Sequence, residues 1–203
     1  MADLKGAPPI LAIDGAAAWL IPNAPKGGGA HYRLASEKLS AILGRSVVVS
    51  QRPSGRPRLA APDPELGVSL SWRDGMLLMA YSPHFAVGVD IEPDDPDLDA
   101  LPLAQDHFAA GEAAAVAALN ADDRRDLFLR LWVAKEAVLK TTGRGVYDGL
   151  REPDLTGVLP LLCAESRAAD FFEAGVSKGL VAVAALSRPS APTLYLSLAR
   201  RWV

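Results

Sequence analysis

Between Asp122 and Thr142 the chain places Leu127, Leu131, Ala134 and Val138 on one helical stripe, with Gly143 positioned to end the run. A helix of about 30 Å with one apolar face needs a second layer to cover that face. Strands are at hand for it. Val68–Trp72 and Met76–Tyr81 flank Arg73-Asp74-Gly75, and an Asp-Gly pair between two apolar runs predicts a hairpin. A third strand is expected over Phe85–Ile91, running into the acidic stretch Glu92–Asp99. The fold class that follows is α+β.

The remaining pattern extends this reading. Leu34, Leu39, Ile42 and Leu43 predict a helix over His31–Arg45, stopped by Gly44. Val47-Val48-Val49 predicts a short buried strand, and the prolines of Gln51–Leu66 predict a loop. A helical segment is expected over Ala104–Leu119, and strand-like runs over Val158–Cys163, Gly179–Leu186 and Thr193–Leu198. Helix followed by strands on both sides of the acidic stretch suggests two similar α+β halves, 1–92 and 93–203, together forming one catalytic unit. Residues 1–30 are rich in Ala, Gly and Pro, and the glycine run that closes them, Gly27-Gly28-Gly29, reads as loop. Their Lys26-Gly27-Gly28-Gly29 lacks the order of a phosphate-binding Gly-Lys-Ser/Thr loop.

Composition excludes several functions. Of 203 residues half are apolar and 22% charged, a globular balance. A net charge of −3 gives no broad electrostatic case for nucleic acid or an anionic membrane. One cysteine, Cys163, cannot form an internal disulfide. No apolar run approaches the ~18 residues needed to span a bilayer, and no secretory signal opens the chain, so a cytoplasmic protein is expected. His31, His84 and His107 show no zinc spacing.

The chemistry concentrates in two segments. In Gly88-Val89-Asp90-Ile91-Glu92, strand alternation puts Asp90 and Glu92 on one face. Two such carboxylates repel unless solvated or bridged by a cation. On the long helix, Trp132, Glu136 and Lys140 fall at i, i+4 and i+8, with Lys135 at the edge of that face. Three carboxylates with lysines beside them form the inventory for holding Mg²⁺ against a pyrophosphate.

Gly88-Val89-Asp90-Ile91-Glu92, followed by Trp132-Val133-Ala134-Lys135-Glu136-Ala137-Val138-Leu139-Lys140, resembles the paired motifs of the 4′-phosphopantetheinyl transferases of the surfactin-synthetase-activating type. Gly55-Arg56-Pro57, Phe108 with Glu112, Gly143-Arg144-Gly145 and Gly179–Ala184 are similar to flanking family segments. The resemblance implies a pseudo-dimeric fold. It also implies transfer of the phosphopantetheine arm of coenzyme A to a serine of an acyl- or peptidyl-carrier protein, with release of adenosine 3′,5′-bisphosphate. By it, Asp90, Glu92 and Glu136 hold Mg²⁺, Glu136 and Lys140 are catalytic, and Lys135 and Lys140 meet the pyrophosphate. A two-half chain of this kind needs no partner to complete its site, so a monomer is implied.

One position departs from the family pattern. Where the family shows Ser-His before the hairpin turn, this chain has Ser71-Trp72. Tryptophan offers a stacking face and one N–H but no cation. Either Trp72 stacks on the base while Arg73 or Arg56 takes the phosphate, with the strand ending at Trp72, or the nucleotide site is weakened, or Trp72 is a core residue. Ser71, Trp72, Arg73 and Arg56 are thus expected at coenzyme A. The rival readings are a degenerate member that binds a carrier domain or nucleotide without transfer, and a Mg²⁺-dependent pyrophosphohydrolase.

Overall fold

The computed structural model describes residues 9, 11–13, 16–25, 27, 29–52, 56–60, 67–84, 86–93, 95, 97–142, 149–159, 180–187 and 195–200. Gly55, the Gly143-Arg144-Gly145 segment, Cys163 and most of the expected Val158–Cys163 strand lie outside these residues. Val158 itself ends a short 3-10 turn, Thr156–Val158.

The N-terminal part opens with β1 (Leu11–Ile13) and β2 (Ala16–Ile21), where the sequence pattern predicted no element. Their alanine-rich sequence has little intrinsic strand preference, and cross-strand pairing supplies it instead. Helix α1 (Ala30–Leu43) follows and ends at Gly44, whose φ of 65° suits glycine. The short strands β3 (Val49–Gln51) and β4 (Pro57–Leu59) form a separate ribbon inside the expected loop region. Val47 and Val49 are buried whereas Val48 is 54% exposed, so the valine run is an alternating edge rather than a buried strand.

Strands β5 (Gly67–Arg73) and β6 (Met76–Ser82) form the expected hairpin. Asp74 and Gly75 both have positive φ, 48° and 79°. That geometry matches the twist of the flanking strands and explains the Asp-Gly pair. The antiparallel sheet order is β1-β2-β6-β5.

Strand β7 (Ala86–Pro93) joins a second sheet. Its partners are β8 (Leu180–Ser187) and β9 (Tyr195–Arg200), in the order β7-β8-β9. Between β7 and β8 come α2 (Ala100–His107), α3 (Ala110–Ala117) and α4 (Ala121–Thr142). The single helix expected over Ala104–Leu119 is therefore two. Phe108 and Ala109 are extended at the break, and the Phe108 ring stacks 5.0 Å from Phe128 in the core. Asn120 starts α4: its Oδ1 accepts from Asp123 N at 3.1 Å, the side-chain capping expected at a helix start.

Helix α4 is buried on more than its apolar stripe. Phe128, Leu129, Val133, Lys135, Glu136, Ala137, Leu139 and Thr141 are covered along with Leu127, Leu131 and Ala134, while Val138 is only partly so. It packs closely on β7, where Gly88 leaves room for the Ala137 carbonyl. Apolar clusters form on both sides of this contact among the described residues. One contains Trp19, Leu39, Leu77 and Met79; another contains Phe108, Phe128, Leu131 and Leu155.

Candidate functional site

The site lies where β5, β7 and α4 meet. Ser69, Ser71 and Arg73 alternate onto one face of β5, and each engages β7. Ser69 Oγ accepts from Val89 N at 3.1 Å. Ser71 Oγ donates to Asp90 Oδ1 at 2.8 Å. Arg73 forms an ion pair with Glu92. A Ser-x-Ser-x-Arg alternation is thus matched to the Asp-x-Glu alternation of the facing strand. Ser69 had not been expected at the site, though its spacing from Ser71 carries the signal.

Helix α4 brings the third carboxylate. Oxygens of Asp90, Glu92 and Glu136 lie within 4.8 Å of one another. Lys140 Nζ donates to Asp90 Oδ1 at 2.6 Å and to the Val89 carbonyl at 3.0 Å, and stands 3.8 Å from Glu136 Oε2. Asp90 is 1% exposed. Among the described residues, no hydrogen-bond partner reaches its other oxygen, Oδ2. A buried, unpartnered carboxylate oxygen beside two further carboxylates suits a hard divalent cation. The donor set therefore fits Mg²⁺.

Electrostatics agree with that placement. Burial, then the charges of Asp90 and Glu92, push Glu136 up to about 7, against the pull of Lys140 and a hydrogen bond from Trp132. Burial likewise raises Glu92, offset mainly by Arg73. Beside Glu92 and Arg73 opens a cavity of about 240 Å³, walled by Leu98, Leu103, Phe128, Leu129 and Trp132. Its lining thus combines charged groups, Arg73, Glu92 and Asp95, with an apolar wall.

Three expected contacts fall elsewhere. Lys135 is fully buried away from the carboxylates: its Nζ lies 2.6 Å from both Glu112 oxygens and 2.5 Å from the Pro153 carbonyl. Glu112 also accepts from Ala109 N and Leu155 N at 2.8 and 2.6 Å. The pair thus satisfies itself while tying α3, α4 and the 149–159 segment together. Trp72 does not end its strand, since β5 stays in register with β6 through Arg73. Its side chain therefore lies on the face opposite Ser71, where Nε1 donates to the Ala24 carbonyl at 3.1 Å and the ring packs on the N-terminal apolar cluster. Arg56 Nη2 donates to the carbonyls of Lys140 and Thr141, at 2.6 and 3.2 Å, and so engages the last turn of α4.

Comparison with known proteins bears on the same region. A family model describing the 4′-phosphopantetheinyl transferase superfamily matches residues 86–166, which include Asp90, Glu92, Glu136 and Lys140. Over this region the chain is similar to the 4′-phosphopantetheinyl transferase superfamily. It is 36% identical over 103 residues to slr0495 of Synechocystis sp., provisionally assigned as a 4′-phosphopantetheinyl transferase, covering 49% of this chain and 41% of that one. It is 32% identical over 94 residues to the 4′-phosphopantetheinyl transferase AcpT of Escherichia coli strain K12, covering 46% and 48%. Against the 4′-phosphopantetheinyl transferase HetI of Nostoc sp. it is also 32% identical over 94 residues, covering 45% and 40%. The chain spans less than half the length of these curated relatives. Arg56, Ser71, Trp72 and Arg73 precede the family-matched region. Among the described residues, no helix is long and apolar enough to cross a membrane.

Proposed function

We propose that the protein transfers the 4′-phosphopantetheine arm of coenzyme A to a serine of an apo acyl- or peptidyl-carrier protein, releasing adenosine 3′,5′-bisphosphate. The observation that carries this reading is the convergence of Asp90, Glu92 and Glu136 within 4.8 Å, with Lys140 against Asp90. Those carboxylates would hold Mg²⁺, which when bound supplies positive charge to the pyrophosphate oxygens.

The protein's own residues do the rest. Glu136 accepts the proton of the carrier serine, directly or through water. The serine oxygen then bonds to the phosphorus that bears the pantetheine arm. The bond from that phosphorus to the bridging oxygen of the adenosine-side phosphate breaks, and the electron pair leaves with adenosine 3′,5′-bisphosphate. Lys140 and Arg73 neutralise charge on the reacting and departing phosphates. Arg73 shares the site face of β5 with Ser71, so it is the cation that answers for the missing histidine. The apolar cavity beside Glu92 accommodates the arm or the carrier surface that presents the serine.

We further read the two sheets with their helices as the two halves of a pseudo-dimeric unit in one chain, acting as a cytoplasmic monomer. Because β7 pairs with β8, the division is drawn before β7 rather than after Glu92.

The test is incubation with coenzyme A, Mg²⁺ and a panel of apo carrier proteins, followed by intact-protein mass spectrometry. A mass gain equal to the arm, lost on Ser→Ala change of the carrier, is expected. Coenzyme A cleaved with no carrier modified would establish a pyrophosphohydrolase instead. Coenzyme A bound but never cleaved would establish a binding protein.

A further inference from the structure

We propose that Ser71 is a positioning residue that acts through Asp90, selecting which carboxylate oxygen faces the cation, rather than a contact to the nucleotide. This rests on the Mg²⁺ reading of the carboxylate cluster. Asp90 Oδ1 receives two donors, Ser71 Oγ at 2.8 Å and Lys140 Nζ at 2.6 Å. Oδ2 receives none among the described residues and is buried. The two oxygens of one carboxylate are therefore already distinguished: one is anchored and the other is free to ligate. The backbone beside it is anchored too, because Ser69 Oγ accepts from Val89 N at 3.1 Å.

The fold explains why a strand hydroxyl takes this part. Ser69 and Ser71 share the face of β5 turned toward β7, and β5 holds its register with β6 through Arg73. The hydroxyl is short, so it fixes the Asp90 carboxylate rotation without reaching into the space among the three carboxylates. Lys140 holds the same oxygen from α4, yet it is a long side chain, 28% exposed, and free to turn toward phosphate. When Lys140 moves to a substrate, Ser71 alone keeps Oδ1 engaged and Oδ2 facing the cation. Partners of metal-ligating carboxylates commonly set metal affinity in this way.

The experiment compares wild type with Ser71→Ala, Ser71→Val, Ser71→Thr and Asp90→Asn. Mn²⁺ binding is read by electron paramagnetic resonance, with and without coenzyme A. Coenzyme A affinity is measured separately by calorimetry in EDTA. Val and Thr have nearly the same shape, and only Thr keeps the donor. Ser71→Ala and Ser71→Val should weaken Mn²⁺ binding by roughly tenfold or more, Ser71→Thr should restore it, and metal-free coenzyme A affinity should stay unchanged in the three Ser71 variants. Undiminished Mn²⁺ affinity in both hydroxyl-free variants overturns the proposal. So does a loss of metal-free coenzyme A affinity that matches the loss for Mn²⁺. If Mn²⁺ binding to wild type is absent, or is unaffected by Asp90→Asn, the metal reading itself falls and this inference with it.

Discussion

A β-carbon on Gly88 would stand 1.8 Å from the carbonyl oxygen of Ala137, 2.9 Å from its carbonyl carbon and 3.0 Å from Thr141 N. All three are backbone atoms, so no side chain can turn aside to make room. Gly88 lies two residues before Asp90, and Ala137 follows Glu136. The same close approach that packs α4 on β7 therefore sets the distance between two carboxylates of the cluster.

Gly88→Ala should force α4 away from β7. Overpacking costs about 1–3 kcal/mol in ordinary cores, and an immovable backbone contact belongs at the upper end. We expect a lower melting temperature together with weaker Mn²⁺ binding. Gly157→Ala, which meets nothing within 4 Å, is the control and should change neither. Equal melting curves for the two variants would show that the helix and strand can separate freely.

Glu136 gives a pH dependence with a definite sign. Its carboxyl is raised from the ordinary 4.5 to about 7, first by burial and then by Asp90 and Glu92. Between those values the metal-free native state keeps a proton that the unfolded chain has released. Stability should therefore fall as pH rises through that window. Metal binding runs the other way, because the cation needs the deprotonated group: affinity should weaken as pH drops below about 7. Glu136→Gln should flatten both profiles in parallel calorimetric and Mn²⁺ titrations. Unchanged slopes in that variant would assign the titration to another group.

The long helix, the Asp-Gly hairpin and the Asp-x-Glu strand were legible because each is a local pattern: a period of 3.6, a turn needing positive φ, a period of two. What escaped reading depends on contacts distant in sequence. The alanine-rich β1 and β2 are strands because β6 pairs with β2 and β2 with β1. The motif residue Lys135 reads as chemistry in sequence, yet it forms a buried ion pair with Glu112, the Phe108 ring 5.5 Å from its Nζ. No periodicity separates a lysine facing the carboxylate cluster from one facing a buried glutamate. The two lie five positions apart on α4, roughly 140° around the helix, and only the packing tells them apart.

Trp72 tests the opposite faces of β5. Its Nε1–H donates to the Ala24 carbonyl, and its ring packs on the N-terminal apolar cluster. Trp72→Phe should cost about 1 kcal/mol by losing that hydrogen bond, and Trp72→Ala about 3–5 kcal/mol by also losing the ring. Coenzyme A affinity of the folded fraction should hold in both variants. Thermal melts and calorimetric titration decide it: a fall in affinity with unchanged melting temperature would return the indole to the nucleotide site.

Lys135 and Lys140 make the sharpest contrast, since both are lysines of one helix. Lys135 is fully buried with all its donors engaged by Glu112 and Pro153, although burial lowers its affinity for the proton. Removing one member of such a pair leaves an uncompensated buried charge, a loss of about 3–5 kcal/mol. Lys135→Ala should therefore melt well below wild type, with activity lost only as the fold is lost. Lys135→Met combined with Glu112→Leu should recover part of that stability, because an apolar pair of similar volume leaves no stranded charge. Lys140 is partly exposed and leans on Asp90. Lys140→Ala should lower transfer by at least roughly tenfold, about 1.4 kcal/mol of barrier, while the melting temperature moves little. Melting temperatures and single-turnover rates for the set read both effects. If Lys140→Ala loses stability in step with activity, its ammonium is a structural counter-ion to Asp90 and the departing phosphate must be met by another cation.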